Sequence, residues 1–238
     1  MVELIRSSDR HLSSQDWLKS YFLFSFADYY DPDNMHFGPL RVFNDDTVAP
    51  KSGFPMHPHS EMEIVSVVLK GEITHKDSLG NERTIKAGEV QRMTAGTGIT
   101  HSEMNNSDEE LHMYQLWFFP NRRGLQPSYE QKKMDFLDSD NELIPLATGQ
   151  KVLEDVIYMN SNSTVYYANL KEDKEIDFKT FDIRQSLVYL TEGQMFVNGV
   201  EVGKNDQLRI SKVDVVKLRA AKNSSFVLID LPAVEANY

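Results

Sequence analysis

Apolar and polar residues alternate in short runs along most of the chain. Ile64-Val65-Ser66-Val67-Val68-Leu69 and residues 111–119, 186–190 and 226–231 read as strands, bounded by turn signals such as Ser78-Leu79-Gly80-Asn81, Asn198-Gly199 and Lys204-Asn205-Asp206. Helical periodicity is poor, and residues 129–136 are the one weak helix candidate. Strands closing every 8–12 residues predict an all-β sandwich or barrel.

A faint internal repeat refines this. Val67-Val68-Leu69-Lys70-Gly71-Glu72-Ile73, followed by Ala87-Gly88-Glu89-Val90, has a counterpart in Val188-Tyr189-Leu190-Thr191-Glu192-Gly193-Gln194, followed by Lys204-Asn205-Asp206-Gln207. Each copy reads as strand, glycine-bearing turn, strand, turn, strand. The 238 residues are therefore better explained by a duplicated β-barrel than by one large sandwich. The division expected is residues 1–130 and 131–238, joined in the polar stretch 120–143.

Composition narrows the chemistry. Lys and Arg number 25 against 36 Asp and Glu, a net charge of −11. Such a surface repels phosphate backbones and anionic lipid, so neither nucleic acid nor a membrane is an expected partner. There is no cysteine, which excludes thiolate metal sites, disulfides and cysteine nucleophiles. No basic and apolar leader opens the sequence and no apolar run is long enough for a membrane helix, so a cytoplasmic location is expected.

All seven histidines lie in the first 112 residues, at positions 11, 36, 57, 59, 75, 101 and 112. An imidazole-bound metal therefore belongs to the first copy. In an extended chain His57 and His59 share a face, about 6.6 Å apart along the backbone. His101 and Glu103 repeat that spacing after the turn Ala95-Gly96-Thr97-Gly98-Ile99-Thr100. Neighbouring strands about 4.8 Å apart would gather three imidazoles and one carboxylate. Such donors suit iron(II), nickel, copper or zinc and leave positions open for substrate or dioxygen. Glu63 shares the 57/59/61/63 face and rivals Glu103. Glu103 is preferred because Glu63 runs straight into an apolar strand, where it would more naturally orient a ligand imidazole. His75 is expected to face solvent, and His112 to pack in the core. Trp17, Trp117 and the aromatic stretch 21–26 are read as core and cap.

Met56-His57-Pro58-His59, Met62-Glu63-Ile64-Val65, His75-Lys76-Asp77-Ser78-Leu79-Gly80-Asn81 and Ala95-Gly96-Thr97-Gly98-Ile99-Thr100-His101-Ser102-Glu103 together resemble the pirin family. The likeness is to its bacterial quercetin 2,3-dioxygenase-like branch. It is strong over residues 10–135, through Leu40-Arg41-Val42-Phe43-Asn44-Asp45-Asp46 and Leu111-His112-Met113-Tyr114-Gln115-Leu116-Trp117. The resemblance implies a bicupin: two antiparallel β-barrels (double-stranded β-helices) packed face to face, with metal in the N-terminal one. It implies His57, His59, His101 and Glu103 as ligands, the set that spacing selects. Iron(II) is the metal it favours; nickel, copper, zinc, cobalt and manganese suit the same donors. Met56, bulkier than the family pattern before the first ligand, is expected to narrow the cavity mouth.

Two functions follow from the resemblance. One is oxidative ring opening of a flavonol such as quercetin with dioxygen and release of carbon monoxide, Glu103 acting as the catalytic base. The other is a non-enzymatic, iron-dependent redox sensor that contacts a protein partner as a transcriptional cofactor.

Overall fold

The computed structural model describes residues 1–150, 153 and 155–233. Among the described residues there is no α-helix, only strands and one 3-10 turn at Ser7–Asp9. The chain opens with β1 (Val2–Ile5), β2 (His11–Ser14), β3 (Leu18–Phe22) and β4 (Leu40–Val48). There follow β5 (Ser52–His59), β6 (Glu63–Lys70), β7 (Glu72–Asp77), β8 (Glu82–Lys86) and β9 (Glu89–Thr94). Next come β10 (Ile99–Asn105), β11 (Leu111–Phe118), β12 (Ser128–Lys133), β13 (Ile144–Thr148) and β14 (Ile157–Tyr158). The last are β15 (Thr164–Leu170), β16 (Glu175–Lys179), β17 (Arg184–Glu192), β18 (Gln194–Val197), β19 (Val200–Gly203), β20 (Gln207–Ser211), β21 (Val215–Ala220) and β22 (Ser224–Pro232).

The weak helix candidate at 129–136 is a correction: its first five residues lie in β12, which pairs antiparallel with β9 from Ser128↔Thr94 to Lys133↔Glu89. Backbone pairing to a distant strand overrides a local propensity that was never strong.

The chain forms two compact units, a bicupin. One comprises residues 11–134 and 155–161; the other comprises residues 1–10 with the described residues of 135–154 and 162–237. In the first, a large sheet runs β12-β9-β6-β11-β4-β3-β2 and a small one runs β5-β10-β7-β8. In the second, the corresponding orders are β1-β20-β17-β22-β15-β13 and β16-β21-β18-β19. The repeat read from the sequence is structural: β6, Gly71 and β7 match β17, Gly193 and β18, and both glycines have a left-handed backbone, φ 75° and 91°. The edge position held by β12 in one unit is held by β1 in the other, where Leu4 pairs with Leu208. By its hydrogen bonds β1 belongs with residues 135–233, whereas the expected division kept residues 1–130 together.

The two interiors differ in what fills them. The second unit packs one continuous apolar cluster from both of its sheets, including Val188, Met195, Val197, Val216, Leu218 and Phe226. In the first unit the apolar interior is split. Val68, Ile73, Ile85 and Leu111 form one cluster, with Trp17 and Phe54 against it. Ile64, Met93, Ala95 and Ile99 form another, flanked by Trp117. Polar side chains occupy the gap between the two clusters.

Candidate metal centre

Strand β5 delivers His57 and His59, and β10 delivers His101 and Glu103. The two pair antiparallel with His101 directly opposite His57, and the register shifts between His101 and Glu103, so that Glu103 faces Phe54. Pro55 lies in the shifted stretch, where a residue without an N–H is tolerated. The strands close because position 53 is glycine: a Cβ there would stand 2.3 Å from the Glu103 carbonyl oxygen. The expected strand neighbourhood is thus present.

The three imidazoles converge. The ligand atoms of His57, His59 and His101 all lie within 4.8 Å of one another, and His101 Nε2 stands 3.1 Å from His57 Nε2. Donors bonded to one ion at about 2.0–2.1 Å stand roughly 3 Å apart, so this spacing fits a shared metal. The protonation states fit too. Burial, followed by repulsion from His57 and His75, lowers the His101 pKa to about 3. Burial, then His101 and His57, lowers that of His59 to about 4. Both rings are neutral near pH 7, the form that ligates.

Glu103 is 1 % exposed and belongs to a second group of ligand atoms, with His75 and His101, also within 4.8 Å of one another. The two groups share His101. The Glu103 carboxylate accepts from Gln91 Nε2 at 2.5 Å and from Gln115 Nε2 at 2.7 Å. Those amides are oriented in turn: Trp117 Nε1 donates to Gln115 Oε1 at 3.0 Å, and Gln91 Nε2 also reaches Ser66 Oγ at 3.1 Å. With His57, His59, Gln115 and Trp117, Glu103 lines a cavity of about 520 Å³. Met56 does not narrow it: that side chain is 54 % exposed, because strand alternation turns it away from its two histidine neighbours.

Three other expectations are corrected. His75 is fully buried, not solvent-facing. Its strand runs between β10 and β8, opposite Glu103, with the ring stacked on Tyr129 at 4.5 Å and Nε2 3.1 Å from Asp77 Oδ2. Burial alone would raise the Asp77 carboxyl, but hydrogen bonds from Asn81, His75 and two backbone N–H groups hold it below its ordinary range. His112 is only partly buried, its Nε2 2.7 Å from Asp45 Oδ1, so it is a hydrogen-bonded residue at the edge of the core. Glu63 is buried but neither a ligand nor the orienter of one. Its carboxylate accepts from the Asn160 N–H at 2.9 Å and from Thr94 Oγ1 at 3.2 Å. The alternation that placed it on the histidine face breaks at Glu61, whose φ is 53°.

The second unit lacks this chemistry at equivalent places. Leu218 stands opposite Val197 there, as Glu103 stands opposite His75, and Val216 pairs with Phe178. Apolar side chains thus stand at the counterparts of His57, His101 and Glu103.

Comparisons with known proteins agree with this architecture. Residues 5–118 match the model of the family described as Pirin, and residues 148–231 match that of the quercetinase C-terminal cupin domain. A protein named quercetin 2,3-dioxygenase from Escherichia coli K12 is 36% identical over 235 residues, covering 98% of this chain and all of that one. A pirin-like protein from Caulobacter vibrioides is 39% identical over 214 residues, covering 90% and 92%. The crystal structure of Escherichia coli YhhW in complex with nickel(II) superposes with a TM-score of 0.92 at 35% identity, covering 98% of this chain and 100% of that one. Matching family models in both halves, near-complete coverage by relatives and two cupin units of one topology place this chain in the pirin family.

Proposed function

We propose that the chain is a metal-dependent quercetin 2,3-dioxygenase-type oxidoreductase, in which His57, His59, His101 and Glu103 hold one divalent metal. The observation that carries this reading is the convergence of the His57, His59 and His101 imidazoles next to a cavity lined by His57, His59 and the buried carboxylate of Glu103. The relatives' names supply the substrate class, a flavonol, and the nickel complex of a relative supports a divalent ion. Among such ions, imidazole and carboxylate donors accept iron(II), nickel, copper, zinc, cobalt or manganese.

The bound metal would act as a Lewis acid on the flavonol 3-oxygen, lowering the pKa of that hydroxyl. The chain's own residues do the rest. Glu103 accepts the released proton: a carboxylate has about four lone-pair sites, and its amide partners leave capacity for it. Gln91 and Gln115 fix the direction in which that carboxylate faces. Trp117, packed edge-on against the His59 ring at 4.8 Å, restrains the imidazole, while Phe22, Phe26 and Phe54 give the cavity an apolar lining. That lining matches a planar aromatic ligand and keeps bulk water from the deprotonated substrate. A concave, largely aromatic-lined cavity of this size favours a small-molecule substrate over a regulatory protein partner.

The test is dioxygen uptake and loss of flavonol absorbance with metal-loaded protein and quercetin, with carbon monoxide captured from the headspace. One carbon monoxide released per dioxygen consumed supports the reading. No uptake with quercetin or any other flavonol overturns it.

A further inference from the structure

The cavity floor carries polar groups that the reaction above does not use. Asn44 and Asp46 lie two residues apart on β4 and so share a face, and both line the cavity. Asn44 is 3 % exposed, and its Oδ1 is buried without a hydrogen-bond partner among the described residues. An orphaned acceptor in a buried wall costs about 1–3 kcal/mol, so a ligand group that donated to it would recover that cost. Asp46 is 2 % exposed and accepts from Ser20 Oγ through Oδ1. Burial raises its pKa to about 7, with Asp45 and Glu103 adding repulsion and the Ser20 hydrogen bond and His112 opposing it. A carboxyl held that far above its ordinary range donates a hydrogen bond in its protonated form. The row continues toward the metal centre: Asn44 is the cross-strand partner of Gln115, whose amide holds Glu103.

We propose that Asn44 and Asp46 form a polar subsite that binds a phenolic hydroxyl of a planar polyphenol, distinct from the hydroxyl beside the imidazoles. Asn44 Oδ1 accepts a hydrogen bond from the phenolic O–H, and protonated Asp46 donates to the same oxygen. The aromatic walls around this edge, Trp17, Phe22, Phe26, Phe54 and Trp117, take the rings. The subsite rests on the flavonol reading and makes it specific: the enzyme selects flavonols hydroxylated beyond the metal-binding oxygens.

The only two tryptophans of the chain, Trp17 and Trp117, both line this cavity, so their fluorescence reports its occupancy. Binding is measured without dioxygen, so no turnover is required. The probes are quercetin and 3-hydroxyflavone, which keeps the 3-hydroxyl and 4-carbonyl and lacks the other phenolic groups. The variant is Asn44→Leu, near-isosteric and free of the orphaned acceptor. Wild type should bind quercetin the more tightly. Asn44→Leu should weaken quercetin about tenfold, the value of one net hydrogen bond, and leave 3-hydroxyflavone within twofold. Its melting temperature should not fall, because replacing an unpaired acceptor with a hydrocarbon removes a penalty. Equal weakening of both ligands, or of neither, overturns the subsite while the flavonol reading stands. Binding of neither ligand to wild type overturns the flavonol reading and the subsite with it. Should Asn44→Leu not fold, equal wild-type affinity for the two flavonols overturns the proposal and a clear preference for quercetin supports it.

Discussion

Replacing Glu103 with glutamine separates the structural role of this side chain from its chemical one. In the wild type the carboxylate receives two amide N–H donors, at 2.5 and 2.7 Å. A glutamine amide offers one oxygen and one NH2, so one contact would become donor against donor. Gln115 cannot turn round to relieve it, because its Oε1 is held by Trp117. Gln91 can: its Oε1 is buried with no partner, and an amide flip would present that oxygen to the new NH2. Two charge-assisted hydrogen bonds of about 1.5–3 kcal/mol each then become two neutral ones of about 0.5–1.5. The burial cost of a carboxylate at 1 % exposure disappears in compensation. Glu103→Gln should therefore fold and lose no more than about 2 kcal/mol in denaturant titration of the metal-free protein. Its dioxygen consumption with quercetin should fall by about 10²–10⁴, the usual worth of a positioned base. Turnover at the wild-type rate would refute the proton-accepting role. Loss of the fold would refute the amide-flip argument.

Three further outcomes follow from the same geometry. Asp46 has a folded pKa of about 7 against an ordinary 3.8, so between those values the folded protein holds a proton that the unfolded chain releases. Stability should fall as pH rises from about 4 to 7, by a few kcal/mol, and Asp46→Asn should flatten that slope in denaturant titrations; parallel curves would contradict it. Gly53→Ala places a Cβ 2.3 Å from the Glu103 carbonyl, so β5 must shift and carry His57 with it. Metal affinity, read by competition with a chromophoric chelator, should drop at least tenfold, and unchanged affinity would show that β5 does not position the ligands. Divalent metal at 100 times its Kd should stabilise wild type by about 2.7 kcal/mol and His57→Ala by much less, in thermal melts. Equal gains in both would place the ion elsewhere.

What the sequence made legible depended on range. The convergence of His57, His59 and His101 could be read because residues two apart on a strand share a face. The repeat was legible because its glycine turns are local. His75 was misread for the opposite reason: its burial comes from β10 and β8 closing on either side of β7, which no neighbouring residue announces. Glu63 was misplaced because period-two counting assumes unbroken extension, and the chain turns at Glu61. The pairing of β1 with β20, and of β12 with β9, joins segments that only the folded chain brings together. Gln91 and Gln115 escaped notice because a glutamine in an apolar strand becomes informative only once its partner, the buried Glu103, is known.

The central claim is that one divalent ion is held by His57, His59, His101 and Glu103, carried on β5 and β10. Anomalous diffraction from crystals grown with cobalt or nickel tests it most directly. The account predicts one peak per chain, about 2.0–2.2 Å from a ring nitrogen of each of His57, His59 and His101. A peak seated on His75, His101 and Glu103 with His57 and His59 unligated, or no peak in this unit, would contradict it.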